Sequence, residues 1–193
     1  MLPQLPHVLC LTEHHAKNQE IENLYIDQYT LGAKYCRQSL KHGGTGIFVH
    51  ESLEFTNIDL QKFCIEQDIE TCAVKVNIQS TVIYIICIYR APTGNLGHFM
   101  KGLESIVNQF SKTNSEIMVC GDINIDYLGE NCYKRQQLDA LLTTFSLVST
   151  IHFLTRTLNG AISAIDNIFI DITYKGKYTI NPLINGLWDT EGL

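Results

Sequence analysis

Apolar and polar positions alternate with two distinct periods along the chain. In "ETCAVKVNI" the period is two: Cys72, Val74, Val76 and Ile78 fall on one face, and Thr71, Ala73, Lys75 and Asn77 on the other. This predicts a half-exposed strand. After the two-residue connection Gln79-Ser80, "TVIYIICIYR" is apolar on both faces, as in a central strand covered on each side, so the two segments are expected to form a hairpin. The period then lengthens. Past the loop "APTGNLG", Phe99, Leu103, Ile106, Val107 and Phe110 recur at helical spacing, and Leu138, Leu141, Leu142 and Phe145 do so in a second helix over roughly 133 to 145. "VLCLTE" (8 to 13) reads as a short buried strand ending in an acid. "YTLGAKY" and "GIFVHE" flank a loop, and "LVSTI", "AIDNIFID" and "YTINPLI" are strand-like. Strands and helices mix without a repeat, low-complexity tract or linker, which predicts a single α/β sandwich over residues 1–193.

Composition agrees with one domain and a sizeable core: 193 residues, 45% hydrophobic and 18% charged. The seven cysteines are an odd number with no C-x-x-C pair, and several sit in apolar runs. That argues against a zinc site or a disulfide framework and for a reducing compartment. "VIYIICIY" (82 to 89) is too short to span a bilayer, and the first residues lack a basic n-region, so an intracellular chain without a membrane partner is expected. The formal charge of −6 is unusual for unaided nucleic-acid binding, because phosphate contacts need clustered Lys and Arg. Binding to DNA would be local, weak or helped by a metal.

The candidate chemistry sits where strands end. In "EIMVCGDINIDYL" an apolar run breaks at Gly121 into Asp122, Asn124 and Asp126. Three readings fit: a turn, a calcium loop, or a catalytic edge. The calcium loop fails, because it needs Gly at its sixth position and Glu at its twelfth, where this chain has Tyr127 and Tyr133. Glu13, Tyr89-Arg90 and Asp189 also follow strand-like runs, and Asp166 lies within "SAIDNIF". Carboxylates with an amide and a phenol suit a hard, oxygen-loving cation such as Mg²⁺, an ion that mostly serves phosphate chemistry.

The order of "VLCLTEHH", "YTLGAKYCR" with "GGTGIFV", "ICIYRAPTGN", "VCGDINID", "SAIDNIFID" and "GLWDTEGL" resembles the endonuclease/exonuclease/phosphatase superfamily, and within it the endonuclease domain of insect-type non-LTR retrotransposons. The resemblance implies a DNase I-like four-layer sandwich, two sheets flanked by helices, and hydrolysis of phosphodiester bonds in DNA with Mg²⁺ or Mn²⁺. A reverse transcriptase domain in a longer product is the implied partner. Residue by residue, Glu13 matches the metal-binding glutamate and Tyr89 the tyrosine at the scissile phosphate. Asp122 matches the residue that orients or deprotonates the attacking water, and Asn124 the amide that binds a phosphate oxygen. Asp166 matches the aspartate that orients a catalytic histidine, and Asp189 the aspartate of a terminal Ser-Asp-His motif, also near the metal. Asp126 has no such role and reads as a turn residue.

Two departures stand out. Where the pattern has Ser-Asp-His, this chain has Trp188-Asp189-Thr190, and it enters almost directly at the glutamate strand, without the family's first strand and its asparagine. His14, His15, His98 and His152 read as surface or packing residues. An active nuclease and a degenerate fragment that keeps the fold therefore both remain open, and a phosphatase or sphingomyelinase fits the motifs less well. A missing strand would leave a sheet edge unpaired.

Overall fold

The computed structural model describes residues 5–78, 80–112, 115–129, 132–158 and 160–182. In chain order these form β1 (Val8–Thr12), α1 (Asn18–Glu22), β2 (Tyr29–Tyr35), β3 (Thr45–His50), β4 (Phe55–Ile58), β5 (Glu70–Ile78) and β6 (Thr81–Tyr89), followed by α2 (Leu96–Phe110), β7 (Glu116–Asp122) and α3 (Tyr133–Thr143). The last strands are β8 (Leu147–Ser149), β9 (Arg156–Leu158), β10 (Ala161–Ser163) and β11 (Asp166–Asp171).

Two main sheets result. One has three strands in the order β1-β3-β2, the other six in the order β4-β5-β6-β7-β11-β8, and β9 and β10 make a small separate ribbon. Period-two patterning assigns the faces. From β6, Ile86 and Ile88 join a core with Phe99, Leu103, Ile106 and Val107 of α2 and Leu138 and Leu142 of α3. Its alternate residues Ile85 and Cys87 join Ile47 and Val49 of β3 in a second core between the sheets. A third, smaller core packs Ile21 of α1 against Phe48, Leu9 and Leu31 on the outer face of the three-stranded sheet. Helix, sheet, sheet and helices are thus four layers joined by three apolar seams, an α/β sandwich. Asn95 starts α2 by accepting the His98 N–H on its side chain at 3.0 Å.

The hairpin forms as expected, with β5 and β6 antiparallel from Glu70↔Tyr89 to Ile78↔Thr81. Three expectations change. β5 is not half-exposed: Thr71 and Ala73 are buried, because the strand lies inside the larger sheet under the helix layer. β1 is half-exposed and not buried, because it is an edge strand paired only with β3 among the described residues. Tyr178 to Pro182 form no strand; proline carries no N–H for a ladder, and Tyr178 instead donates its hydroxyl to Glu116 at 2.6 Å.

β6 and β7 run parallel, Ile83↔Glu116 to Cys87↔Cys120, so both end at the same edge, and β11 starts there antiparallel to β7. Gly121 permits this close approach. It has φ +140, and a Cβ there would lie 2.0 Å from the Ile88 carbonyl oxygen. Gly121→Ala should therefore cost at least about 3 kcal/mol of stability. Urea unfolding checks this, and a change under about 1 kcal/mol would contradict the packing described.

Candidate active site

Four strand ends deliver the acids to one edge. β1 comes within 8 Å of β6 and β7, Cα to Cα, from the opposite sheet, and ends at Glu13. β6 ends at Tyr89, and the Tyr89 hydroxyl donates to the Glu13 carboxylate at 2.5 Å. β7 ends at Asp122, whose Cα partner in the ladder is Asp166 at the start of β11. Asn124 follows two residues later, and its backbone N–H donates to Asp122 Oδ1 at 2.9 Å. Glu13, Tyr89, Asp122, Asn124 and Asp166 therefore gather as expected, whereas Asp189, with Trp188 and Thr190, lies outside the described residues.

Two of these residues are held in left-handed backbone: Glu13 at φ 51 and Asn124 at φ 48. Asn tolerates that region, but for Glu it costs about 1–2 kcal/mol. Such strain persists only where surrounding contacts impose it, and it concentrates at functional sites.

The supporting contacts come mostly from arginines. Arg90 is fully buried, and its guanidinium donates to the carbonyls of Ile123 (2.9 Å), Gly94 (2.8 Å) and Asn124 (2.8 Å). In return the Arg90 carbonyl accepts from Asn124 Nδ2 at 2.8 Å, which fixes the orientation of the amide and, among the described residues, leaves its second N–H for a ligand. On the other side, Arg37 lies 5.9 Å from the Tyr89 ring centroid and donates its Nε to buried Glu70 at 2.6 Å. Glu70 also accepts from the backbone N–H groups of Gly44 (2.7 Å) and Gln67 (2.8 Å). These clamps hold Tyr89 and Asn124 without touching the acids' own oxygens.

Electrostatics follow from the crowding. Burial first, then the negative charges of Asp166 and Glu13, push the Asp122 carboxyl up to about 7, against the opposing pull of the Asn124 N–H and Arg156. Asp166 is raised too, mainly by burial, with the Thr155 hydroxyl and Arg156 pulling the other way. Tyr89 is held as a neutral phenol by burial and by its bond to Glu13. Arg156 is thus a cationic neighbour of both carboxyls, one that sequence pattern does not reveal because β9, a strand of three residues, gives no periodic signal.

Asp126 is the turn residue expected: its carboxylate accepts the N–H groups of Leu128 (3.0 Å), Gly129 (3.1 Å) and Ala164 (2.9 Å). The histidines are engaged elsewhere. His14 faces the Tyr35 carbonyl at 3.1 Å, His98 the Asp68 carboxylate at 2.7 Å, and the His15 ring packs edge-on against His42.

No protein-family model and no curated protein matches the chain. Solved structures do. The endonuclease domain of TRAS1, a telomere-specific non-LTR retrotransposon, aligns with a TM-score of 0.59 at 16% identity, over 75% of this chain and 69% of that one. An endonuclease/exonuclease/phosphatase family protein from Bacteroides thetaiotaomicron aligns at 0.56 and 12% identity, over 86% and 69%. The chain has the endonuclease/exonuclease/phosphatase fold. The same fold in D. rerio TDP2, solved with a single-stranded DNA product, aligns at 0.56 and 13% identity, over 86% of this chain and 71% of that one. Among the described residues no helix is long and apolar enough to cross a membrane.

The donor set also bears on a metal. Among the described residues no three His, Cys, Asp or Glu side chains form a ready cage. Mg²⁺ needs none, since it is usually held by one or two carboxylates with waters and substrate phosphates. Glu13, exposed at the rim and charge-coupled to Asp122 and Asp166, fits that mode.

Proposed function

We propose that the chain carries a Mg²⁺-dependent phosphodiester-hydrolysing site of the endonuclease kind, acting on DNA, in a domain of non-LTR retrotransposon descent whose longer product includes a reverse transcriptase. The observation that supports this most is the meeting of Glu13 and Tyr89 with Asp122 and Asp166 at one sheet edge. Asp122 is the general base. A carboxyl poised near neutrality can take a proton from water and still be ionised at working pH. Asn124 offers its free amide N–H to a phosphate oxygen, and Tyr89 its ring and hydroxyl beside it. Glu13, with Asp189, would hold Mg²⁺ or Mn²⁺, which when bound neutralises phosphate charge and stabilises the leaving oxygen. With the chain at −6 overall, DNA is held weakly and locally.

A second reading has its own observation. Thr190 occupies the position of the family's histidine, so the fold and metal site persist with little or no turnover.

Metal binding tests the site apart from turnover. Mg²⁺ at about 100 times its Kd should stabilise the folded chain by about 2.7 kcal/mol, a rise of roughly 5–10 °C in a chain of this size. Glu13→Gln should lose most of that rise. Equal rises in the wild type and the variant would remove Glu13 from the metal site.

A further inference from the structure

Four cysteines face one another beneath the acids. Cys72, Cys87 and Cys120 belong to the core between the sheets, and Cys10 packs onto them from the three-stranded sheet. Cys72↔Cys87 and Cys87↔Cys120 are ladder partners, so the three thiols stand in a row across β5, β6 and β7. Cys10 packs against this row from β1, where the Cys87 thiol donates to the Leu11 carbonyl at 3.5 Å and the Cys120 thiol to the Ile86 carbonyl at 3.8 Å. The cluster is not arranged as a metal cage among the described residues.

One side of the row is open. Cys10 is half-buried, and with Cys120 it lines an apolar groove of about 420 Å³ whose walls include Val8, Met118, Phe153 and Ile168. Cys72 and Cys87 do not reach that groove. A small neutral oxidant entering it meets Cys10 and Cys120 first.

We propose that Cys10 and Cys120 are an oxidation site for hydroperoxides, joined by them into a disulfide that ties the two sheets together directly below the carboxylates. The Cys10 thiolate attacks the distal peroxide oxygen, an S–O bond forms, the O–O bond breaks, and the departing alkoxide or hydroxide takes up a proton. Cys120 sulfur then displaces hydroxide from the Cys10 sulfenic acid, giving the disulfide and water. Two thiols lose two electrons in total, and the peroxide gains them. Cys10 is the attacking group because it is only half-buried where Cys120 is buried, so a peroxide in the groove reaches the Cys10 sulfur first. β1 and β7 come within 8 Å, Cα to Cα, and a disulfide holds its Cα atoms about 4.4–6.8 Å apart, so closing the bond would draw the two strands together. The bond would lie three residues before Glu13 and two before Asp122, so oxidation would fix the spacing of the strands that carry them.

The test treats the full 193-residue chain with hydrogen peroxide, blocks remaining thiols under denaturing conditions, and maps the peptides by mass spectrometry. The expected product is a single Cys10–Cys120 linkage, reversed by dithiothreitol, with Cys36, Cys64 and Cys132 blocked as free thiols. In Cys120→Ser, dimedone should trap Cys10 as its sulfenic acid, and Cys10→Ser should form no peroxide-dependent linkage. A linkage between other cysteines, unreacted Cys10 at excess peroxide, or an undiminished linkage in Cys10→Ser overturns the assignment.

Discussion

Asp122→Asn is expected to melt well above the wild-type chain at pH 8 and to lose most of the wild type's fall in stability between about pH 4 and pH 7. Asp122 is raised from 3.8 to about 7 in the folded chain. Between those values the unfolded chain has released this proton and the folded chain still holds it, so stability falls as pH rises through the window. Above the folded value the full cost is present. It is set by the burial of the carboxyl and by repulsion from Asp166 and Glu13, and is on the order of 4 kcal/mol, or roughly 8–16 °C for this chain length. Asparagine keeps the shape and can still accept the Asn124 N–H. Asp166, raised in the same direction, leaves a residual slope in the variant. Thermal unfolding of both proteins from pH 4 to pH 9 without divalent cation measures the difference, and superimposable pH profiles would contradict the described burial of Asp122.

The largest effect on rate is expected at position 190. The chain as it stands should nick supercoiled plasmid about 10²- to 10⁴-fold more slowly than a Trp188→Ser/Thr190→His double variant, corresponding to roughly 3–5 kcal/mol of barrier. Threonine neither takes up a proton near neutral pH nor carries positive charge, whereas imidazole does both. The remaining groups can still bind the metal and orient phosphate, so binding should change far less than turnover. In the double variant the rate should climb as pH rises through about 7, because Asp122 acts only once ionised. Asp122→Ala in that background should abolish the gain. Rapid Mg²⁺-dependent nicking by the unmodified chain would show that another group does the histidine's work.

The layers were legible where periodicity is local. The spacing of Phe99, Leu103, Ile106, Val107 and Phe110 marks α2, and all five are buried as the pattern requires. The β5–β6 hairpin follows from two strand patterns and a two-residue connection. Neighbours in a sheet are not written in a strand's own sequence. Thr71 and Ala73 look like an outward face until the helix layer covers them, and "VLCLT" looks like a core strand although β1 ends the three-stranded sheet. The site divides in the same way. Glu13, Asp122 and Asp166 could be listed as acids at strand ends, but their roles came from resemblance to a family. Long-range partners carry no local signal: Arg37 reaches Glu70, 33 residues on, and Arg90 reaches Asn124, 34 residues on. The only hint at Arg90 was its place directly after an apolar central strand. Buried there, its guanidinium must find carbonyls or a carboxylate.

Anomalous diffraction from crystals grown with Mn²⁺ tests the metal site most directly. An anomalous peak is expected in contact with the Glu13 carboxylate, on the side facing Asp122 and Asp166, and the same peak should vanish in Glu13→Gln crystals. A peak elsewhere on the protein, or none beside Glu13 at saturating Mn²⁺, would contradict the proposal that these strand ends form a metal-phosphate site.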